Sequence, residues 1–293
     1  MPKIQYIKSL TTIIIMNMKF PVLEMFCSIQ GEGKWTGVPS IFVRLAGCNL
    51  RCVFGNSCCD TPYSSFNLEK PKWSTVKAAA AEFERLMDEN PNVHHVVITG
   101  GEPLLHAEAL KEFYNKVAED RALAITVETN GTLPAIMPWD DEDGNESWID
   151  LWSVSPKLST SVDWDCKFLT PEIRDHHNKI RINYDNLASY IDSMKEARRI
   201  CDDDGCDTGI TPYCQFKFVY SGEDSVNEIK EMVKIFRYEY NIDLSDHIML
   251  MPEGTTNEHL EKISQECAQV CIREGWKFCD RLHIRIWGDK RGV

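Results

Sequence analysis

Positive charge is scarce in this 293-residue chain: 32 lysines and arginines face 45 acidic residues, a formal net charge of −13. That sign gives phosphate backbones no long-range attraction, so general nucleic-acid binding is disfavoured. Long apolar runs are missing as well. The run at residues 11–16 falls far short of the roughly 20 residues a membrane-crossing helix needs, and no positively charged leader with a cleavage site stands ahead of it. Low-complexity tracts, linkers and fixed-period repeats are also lacking, so nothing forces a second domain. An apolar share of 43% is enough for a well-buried core. The expected partner is therefore a small molecule, with no direct nucleic acid and no membrane.

Twelve cysteines would suggest a disulfide framework in a small secreted chain, but a chain this long without a leader reads as soluble, reduced and cytoplasmic. Residues 1–17 read as an extension in which disorder is expected, and residues 18–293 as one domain. Within it, β-branched runs at 41–45, 93–98 and 122–127 alternate with helical patterns at 76–87 and 107–118, which is βαβ order. Further strands are expected at 151–154, 215–220, 247–251 and 281–286, with helices at 225–238 and 257–275. The class is α/β, a parallel sheet or an incomplete (β/α) barrel. Between 157 and 213 the pattern breaks into a polar stretch with one helix, 184–199, and an acidic turn at 201–206. This stretch, about 158–213, reads as an insertion.

The first expected strand delivers a loop carrying Cys48, Cys52, Cys58 and Cys59. Thiolates are the usual ligands of iron–sulfur clusters, and a four-iron cluster held by three of them keeps one iron open for chemistry. Neighbouring side chains on an extended chain point opposite ways, so Cys58 and Cys59 are not both ligands. Structural zinc competes: Cys201 and Cys206, with Cys214 in reserve, would supply a second ligand pair. The cysteines at 27, 166, 267, 271 and 279 read as small buried apolar residues. His94, His95, His106, His176 and His177 have no ligand-like spacing with the thiols and read as structural or solvated.

Polar clusters recur where strands end: Thr99-Gly100-Gly101-Glu102-Pro103, Glu128-Thr129-Asn130-Gly131 and Ser155-Pro156-Lys157. Parallel α/β folds build their sites at that end. The glycines allow a ligand close to the backbone, and Glu102 is suited to accept from a ligand ammonium. Each cluster alone is compatible with an ordinary turn; their repetition points to one shared mouth. Upstream, Ser28-Ile29-Gln30-Gly31-Glu32-Gly33 reads as a polar turn before the first strand and lacks the spacing of a phosphate loop. Arg44 shares a strand face with Phe42 and Ala46, so its guanidinium needs an anion, either Glu or a substrate carboxylate held bidentately.

Together these residues resemble the radical S-adenosylmethionine superfamily and, within it, the 7-carboxy-7-deazaguanine synthase family. The likeness runs from Phe20 to Val293. The cysteine loop and Gly100-Gly101-Glu102-Pro103 mark the superfamily; Gln30-Gly31-Glu32-Gly33 with Cys59-Asp60-Thr61 marks the synthases. Phe42 to Leu50, Gln215 to Val219, Met251-Pro252-Glu253-Gly254 and the closing run 283–293 extend it. The resemblance implies an incomplete (β/α) barrel of the radical SAM type. It also implies a carbon–nitrogen lyase that cleaves S-adenosylmethionine (SAM) reductively to a 5'-deoxyadenosyl radical. That radical drives ring contraction of 6-carboxy-5,6,7,8-tetrahydropterin to 7-carboxy-7-deazaguanine with loss of ammonia, as in queuosine biosynthesis.

By the same resemblance, Cys48, Cys52 and Cys59 would hold a 4Fe-4S cluster, and Thr61 a Mg2+ ion that touches substrate. Arg44, Thr99, Glu32 and the Ile29-Gln30-Gly31 backbone, with Val293, would face the pterin. Cys58, Cys59, Asp60, Gly101 and Glu102 would line SAM, together with Ser155, Pro156, Lys157, Met251, Pro252, Glu253 and Gly254. A homodimer and a flavodoxin or ferredoxin electron donor are implied. One departure stands out: the superfamily spacing Cys-x3-Cys-x2-Cys is widened by four residues if Cys59 is the third ligand. The rival readings are a glycyl-radical enzyme activase and a non-catalytic zinc-stabilised binding module.

Overall fold

The structure is a computed structural model describing residues 17–54, 57–118, 121–141, 144–162, 169–204 and 209–293. Most of the expected 1–17 extension, as well as Cys166 and Cys206, lies outside the described residues.

A single nine-stranded sheet organises the chain. Its strands are β1 (Lys19–Ile29), β2 (Pro39–Leu45), β3 (Trp73–Thr75), β4 (His95–Gly100), β5 (Ala124–Thr129), β6 (Leu151–Val154), β7 (Tyr213–Tyr220), β8 (Ile248–Pro252) and β9 (Lys277–Phe278). They lie in the order β9-β8-β7-β6-β5-β4-β2-β1-β3. Every pair from β2 to β9 is parallel, while β1 runs antiparallel to both β2 and β3. The helices are α1 (Val76–Glu89), α2 (Ala107–Ala118), α3 (Pro171–Ile180), α4 (Tyr184–Asp204), α5 (Glu223–Glu239), α6 (Asn257–Glu274) and α7 (Leu282–Trp287).

Alternation along the strands sorts the two faces. Ile41, Val43 and Leu45 of β2, Val96 and Ile98 of β4, Ile125 and Val127 of β5, and Phe216 and Phe218 of β7 are fully buried in one apolar core with the helices. The opposite face carries the polar groups Ser40 and Arg44, His95 and Thr99, Thr126 and Glu128, Ser153, Gln215 and Lys217, with Phe42, Val97 and Val219 among them. A parallel sheet in which one face packs on helices and the other carries polar groups must curl round those groups or leave them open to water. Here it curls. The seam is bridged where Leu282 N–H donates to Gly31 O (2.9 Å) and Gly33 N–H to Cys279 Sγ (3.0 Å). The result is an open barrel.

Local signals explain most elements. Thr75 caps α1 by accepting from Ala78 N–H, Thr256 caps α6, and Gly275 ends α6 with φ 74°. Three expectations need correction. The segment around 281–286 is a helix, α7, although Leu282, Ile284 and Ile286 alternate as in a strand. Only Ile284 of the three is buried, Ile286 is half exposed, and Gly288 N–H closes a helical bond on Ile284 O (2.9 Å). β1 was not expected, because Pro21 and Glu24 interrupt its apolar pattern; it puts Ser28 and Ile29 in a strand rather than a turn. α3 was not expected either, although Thr170 followed by Pro171 is a helix start. Within the 158–213 stretch, α4 supplies the crossover between the parallel neighbours β6 and β7, burying Tyr190, Ile191 and Met194 in the core. Among the described residues no helix is long and apolar enough to cross a membrane.

Candidate active site

The cysteine loop follows β2 and rests on the end of β4. Gly101 N–H donates to Leu45 O (3.1 Å) and Glu102 N–H to Gly47 O (2.8 Å). The contact is backbone on backbone: a Cβ on Gly101 would stand 1.9 Å from Gly47 O, so glycine is required here. Glu102 is fully buried. Its carboxylate accepts from Leu104 N–H (3.0 Å), Thr129 Oγ (2.8 Å) and Asn130 N–H (2.8 Å). It ties the ends of β4 and β5 together instead of facing a ligand ammonium, which corrects the sequence-based expectation. Asn130 passes the link to the loop by donating to Asn49 Oδ1 (3.0 Å).

The widened cysteine spacing has a structural basis. Val53–Phe54 and Ser57–Cys58 pair as a small antiparallel hairpin, and Cys59 N–H then donates to Cys52 O (3.0 Å). This pairing brings Cys59 back beside Cys52. Burial pushes the thiols of Cys48 and Cys59 up and that of Cys52 up to about 12, so without a cation they stay protonated. Cys48 and Cys59 each act on the Cys52 thiol through space, and Cys59 acts on Cys48. Among the described residues no three His, Cys, Asp or Glu side chains gather as they would round a single ion. Three thiols spread round a cavity wall fit a four-iron cluster, whose ligands stand on separate corners. The zinc alternative loses its second half: Cys214 is fully buried in the apolar core, and Cys201 is disulfide-bonded. Of the cysteines read as small buried residues, 267, 271 and 279 are buried and Cys27 is half-buried.

The thiols open on a cavity of about 640 Å³ inside the barrel mouth. Cys58, Cys59, Asp60 and Thr61 line it, as do Gly101, Ser155, Lys157 and Met251 to Gly254. So do Ile29 to Glu32, Arg44, Thr99 and Val293. Of the anticipated site residues, Glu102 and Pro156 do not; Pro156 is buried within its turn.

Two ionic networks shape the polar wall. Arg44 Nε donates to Glu24 Oε1 (2.7 Å), and Glu24 also accepts from Tyr63 Oη (2.8 Å) and Arg291 Nε (2.6 Å). Burial opposes ionisation of Glu24, but Arg291, Arg44 and Tyr63 outweigh it and hold its carboxyl low. Deeper in, Glu32 is paired with Lys217 and with Arg281 (Nε–Oε1 3.0 Å), and Arg281 also reaches Asp60 Oδ2 (2.6 Å) and Gly254 O (2.6 Å). Burial again opposes the Glu32 charge; Lys217, Arg281 and His283 overcome it and drive its carboxyl far below the usual range. Between the two networks, Glu128 accepts from Thr99 Oγ (2.7 Å) and Gln30 Nε2 (3.2 Å). Lys217, Arg281 and His283 had not been read as site residues. A lysine at an inward position of an otherwise aromatic strand was the available signal for Lys217; the misread strand at 281–286 hid the other two.

Residues 43–202 match the radical SAM superfamily. With the thiol-lined mouth of an open (β/α) barrel, this makes the chain a radical SAM enzyme, whose cofactors are a 4Fe-4S cluster and SAM and whose chemistry calls for a small-molecule substrate and a reducing partner. The chain is 34% identical over 279 residues to the 7-carboxy-7-deazaguanine synthase of Halobacterium salinarum, covering 92% of this chain and 91% of that protein. It is 32% identical over 272 residues to that of Rhodopirellula baltica, covering 93% and 88%. It belongs to the 7-carboxy-7-deazaguanine synthase family and acts in deazapurine biosynthesis. The fold is also that of QueE from Escherichia coli, whose crystal structure matches with a TM-score of 0.53 at 21% identity over 91% of this chain and 95% of that one. The glycyl-radical activase and the zinc module are thereby set aside.

Proposed function

We propose that the chain converts 6-carboxy-5,6,7,8-tetrahydropterin to 7-carboxy-7-deazaguanine with loss of ammonia. The observation that carries this reading is that one cavity is lined both by the three thiols and by Arg44, with fixed polar groups beside them. The cluster and SAM supply the radical chemistry when bound; the protein binds, orients and excludes water. Cys48, Cys52 and Cys59 would hold the cluster. Gly101, Ser155, Lys157 and Met251 to Gly254 would receive SAM, with Lys157, held on Ser155 Oγ (2.7 Å), as the cation for its carboxylate.

Arg44 spends its Nε on Glu24, so its terminal nitrogens remain to take the pterin carboxylate as a fork. The pyrimidine edge of a pterin offers parallel N–H donors, and Glu128, fixed by Thr99 and Gln30, is the carboxylate suited to accept them. The Glu32 carboxylate is already engaged by Lys217 and Arg281, so its part is to hold the Gln30–Gly33 turn in place. Thr61, half-buried on the cavity wall, would give a hard oxygen to Mg2+, with substrate and water completing the shell. A flavodoxin or ferredoxin is the natural one-electron donor, a homodimer the natural assembly, and a reducing cytoplasm the compartment that the nine free thiols among the described residues favour, against the disulfide at Cys201.

Anaerobic incubation of reconstituted protein with reductant, SAM, Mg2+ and the carboxylated tetrahydropterin tests the reading by mass analysis. The expected product is the deazaguanine acid. Iron-loaded protein that consumes SAM and leaves the pterin untouched would refute it.

A further inference from the structure

The segment between β6 and α4 reaches the cysteine loop from outside the cavity. His177, on α3, is fully buried, and its Nδ1 lies 3.1 Å from the Arg51 backbone nitrogen, in the turn between Cys48 and Cys52. An amide nitrogen only donates, so Nδ1 accepts and the ring proton sits on Nε2. That nitrogen is 3.1 Å from Ser161 Oγ, whose own proton goes to Leu158 O (2.7 Å). Donors and acceptors therefore run one way, from the Arg51 amide to the residue that follows Lys157. Two further contacts lie alongside. Leu169 packs with Val53, the residue after Cys52, and Arg181, just beyond α3, donates to Lys157 O (3.0 Å).

We propose that His177 is a positioning residue for the cluster loop, and that α3 with its flanks is a brace holding the Cys48–Cys52 turn and the Lys157 turn at a fixed separation. This rests on the cluster assignment above. Nearer Cys48 the turn is tied at Asn49, which accepts from Asn130 (3.0 Å) and donates to Thr132 Oγ (2.7 Å), while the Arg51 side chain bonds only within the loop, to Cys48 O (2.7 Å) and Leu50 O (2.8 Å). Asn49 thus fixes the first half of the turn, and His177 fixes the Arg51 half, next to Cys52, to the body of the fold. Because His177 touches neither cavity nor thiol, it orders the apo loop before any iron arrives.

The test compares His177→Leu with His177→Asn, since the Asn carbonyl can occupy the place of Nδ1. Amide exchange at Arg51 is measured in metal-free protein, and loss of iron to a chelator in reconstituted protein. In the Leu variant, Arg51 should exchange roughly two- to tenfold faster, the equivalent of one net hydrogen bond. Iron should leave about as much faster, and the Asn variant should restore both. Should the Leu variant fail to fold, Ser161→Ala, which frees Nε2 and leaves the ring, is expected to give the same acceleration in weaker form. A folded Leu variant, or failing that a Ser161→Ala variant, with wild-type exchange at Arg51 would overturn the proposal. The exchange reading needs no cluster, so its failure is separable from failure of the proposed function.

Discussion

Arg44 and Glu24 stand side by side on neighbouring antiparallel strands, Nε to Oε1 at 2.7 Å, so the guanidinium is held at its Nε while the Arg44 side chain lines the cavity. Arg44→Met should therefore remove the fork and leave the fold, because Glu24 keeps Tyr63 and Arg291. The KM for the pterin is expected to rise about 10- to 100-fold, the worth of a charge-assisted pair, while uncoupled SAM cleavage stays measurable. Loss of iron from this variant would instead mark Arg44 as structural.

Cys59 follows the hairpin back to Cys52, whereas Cys58 belongs to the hairpin itself. Cys59→Ala should lose the cluster and its brown absorbance on reconstitution; Cys58→Ala should keep about four irons per chain. The reverse pattern would reassign the third ligand.

Arg281 joins Glu32, Asp60 and Gly254, three segments far apart in the sequence. Replacing it with Met leaves the largely buried Glu32 with Lys217 and, 3.9 Å away, the His283 ring. Unfolding in urea should show a loss of about 3 kcal/mol, the usual cost of breaking a buried pair. An unchanged midpoint would mean that water reaches the network.

His95 bonds Ser40 Oγ (2.6 Å) and Thr126 Oγ (2.8 Å) inside the barrel, and burial lowers its pKa to about 3. In the unfolded chain it takes up its proton near ~6.5. Between those values the unfolded state binds more protons, so the stabilising share of His95 is complete above ~6.5 and is lost as pH falls towards 3. From pH 7 to 4.5, wild type should lose roughly 2–3 kcal/mol more than His95→Gln. Equal losses in urea titrations would show that His95 is not held neutral.

Much of the fold was legible where one period dominated. Residues 107–118 and 151–154 read as the helix and strand they are, because each keeps its own repeat throughout. The strand-end motifs were legible as a site for a topological reason: parallel strands put their carboxyl ends on one rim. What escaped the sequence depended on partners far along the chain. The alternation in Leu282, Ile284 and Ile286 fits a strand, yet β9 beside it is only a two-residue edge, and as a helix the segment carries His283 against Gly31. Glu102 looked like a ligand group because nothing local reveals that it is buried and engaged by Thr129 and Asn130. Lys217 and Arg281 acquire their role only once Glu32 is set between them.

The seam of the barrel joins residues about 250 positions apart. Contacts so distant in sequence form late, since their loop entropy is repaid only after nearer pairings exist. The pocket therefore has no far wall until residues 279–282 have folded back on the 31–33 turn. The shielding that a reactive radical requires is thus acquired only when that return contact closes, after the nearer strands have paired.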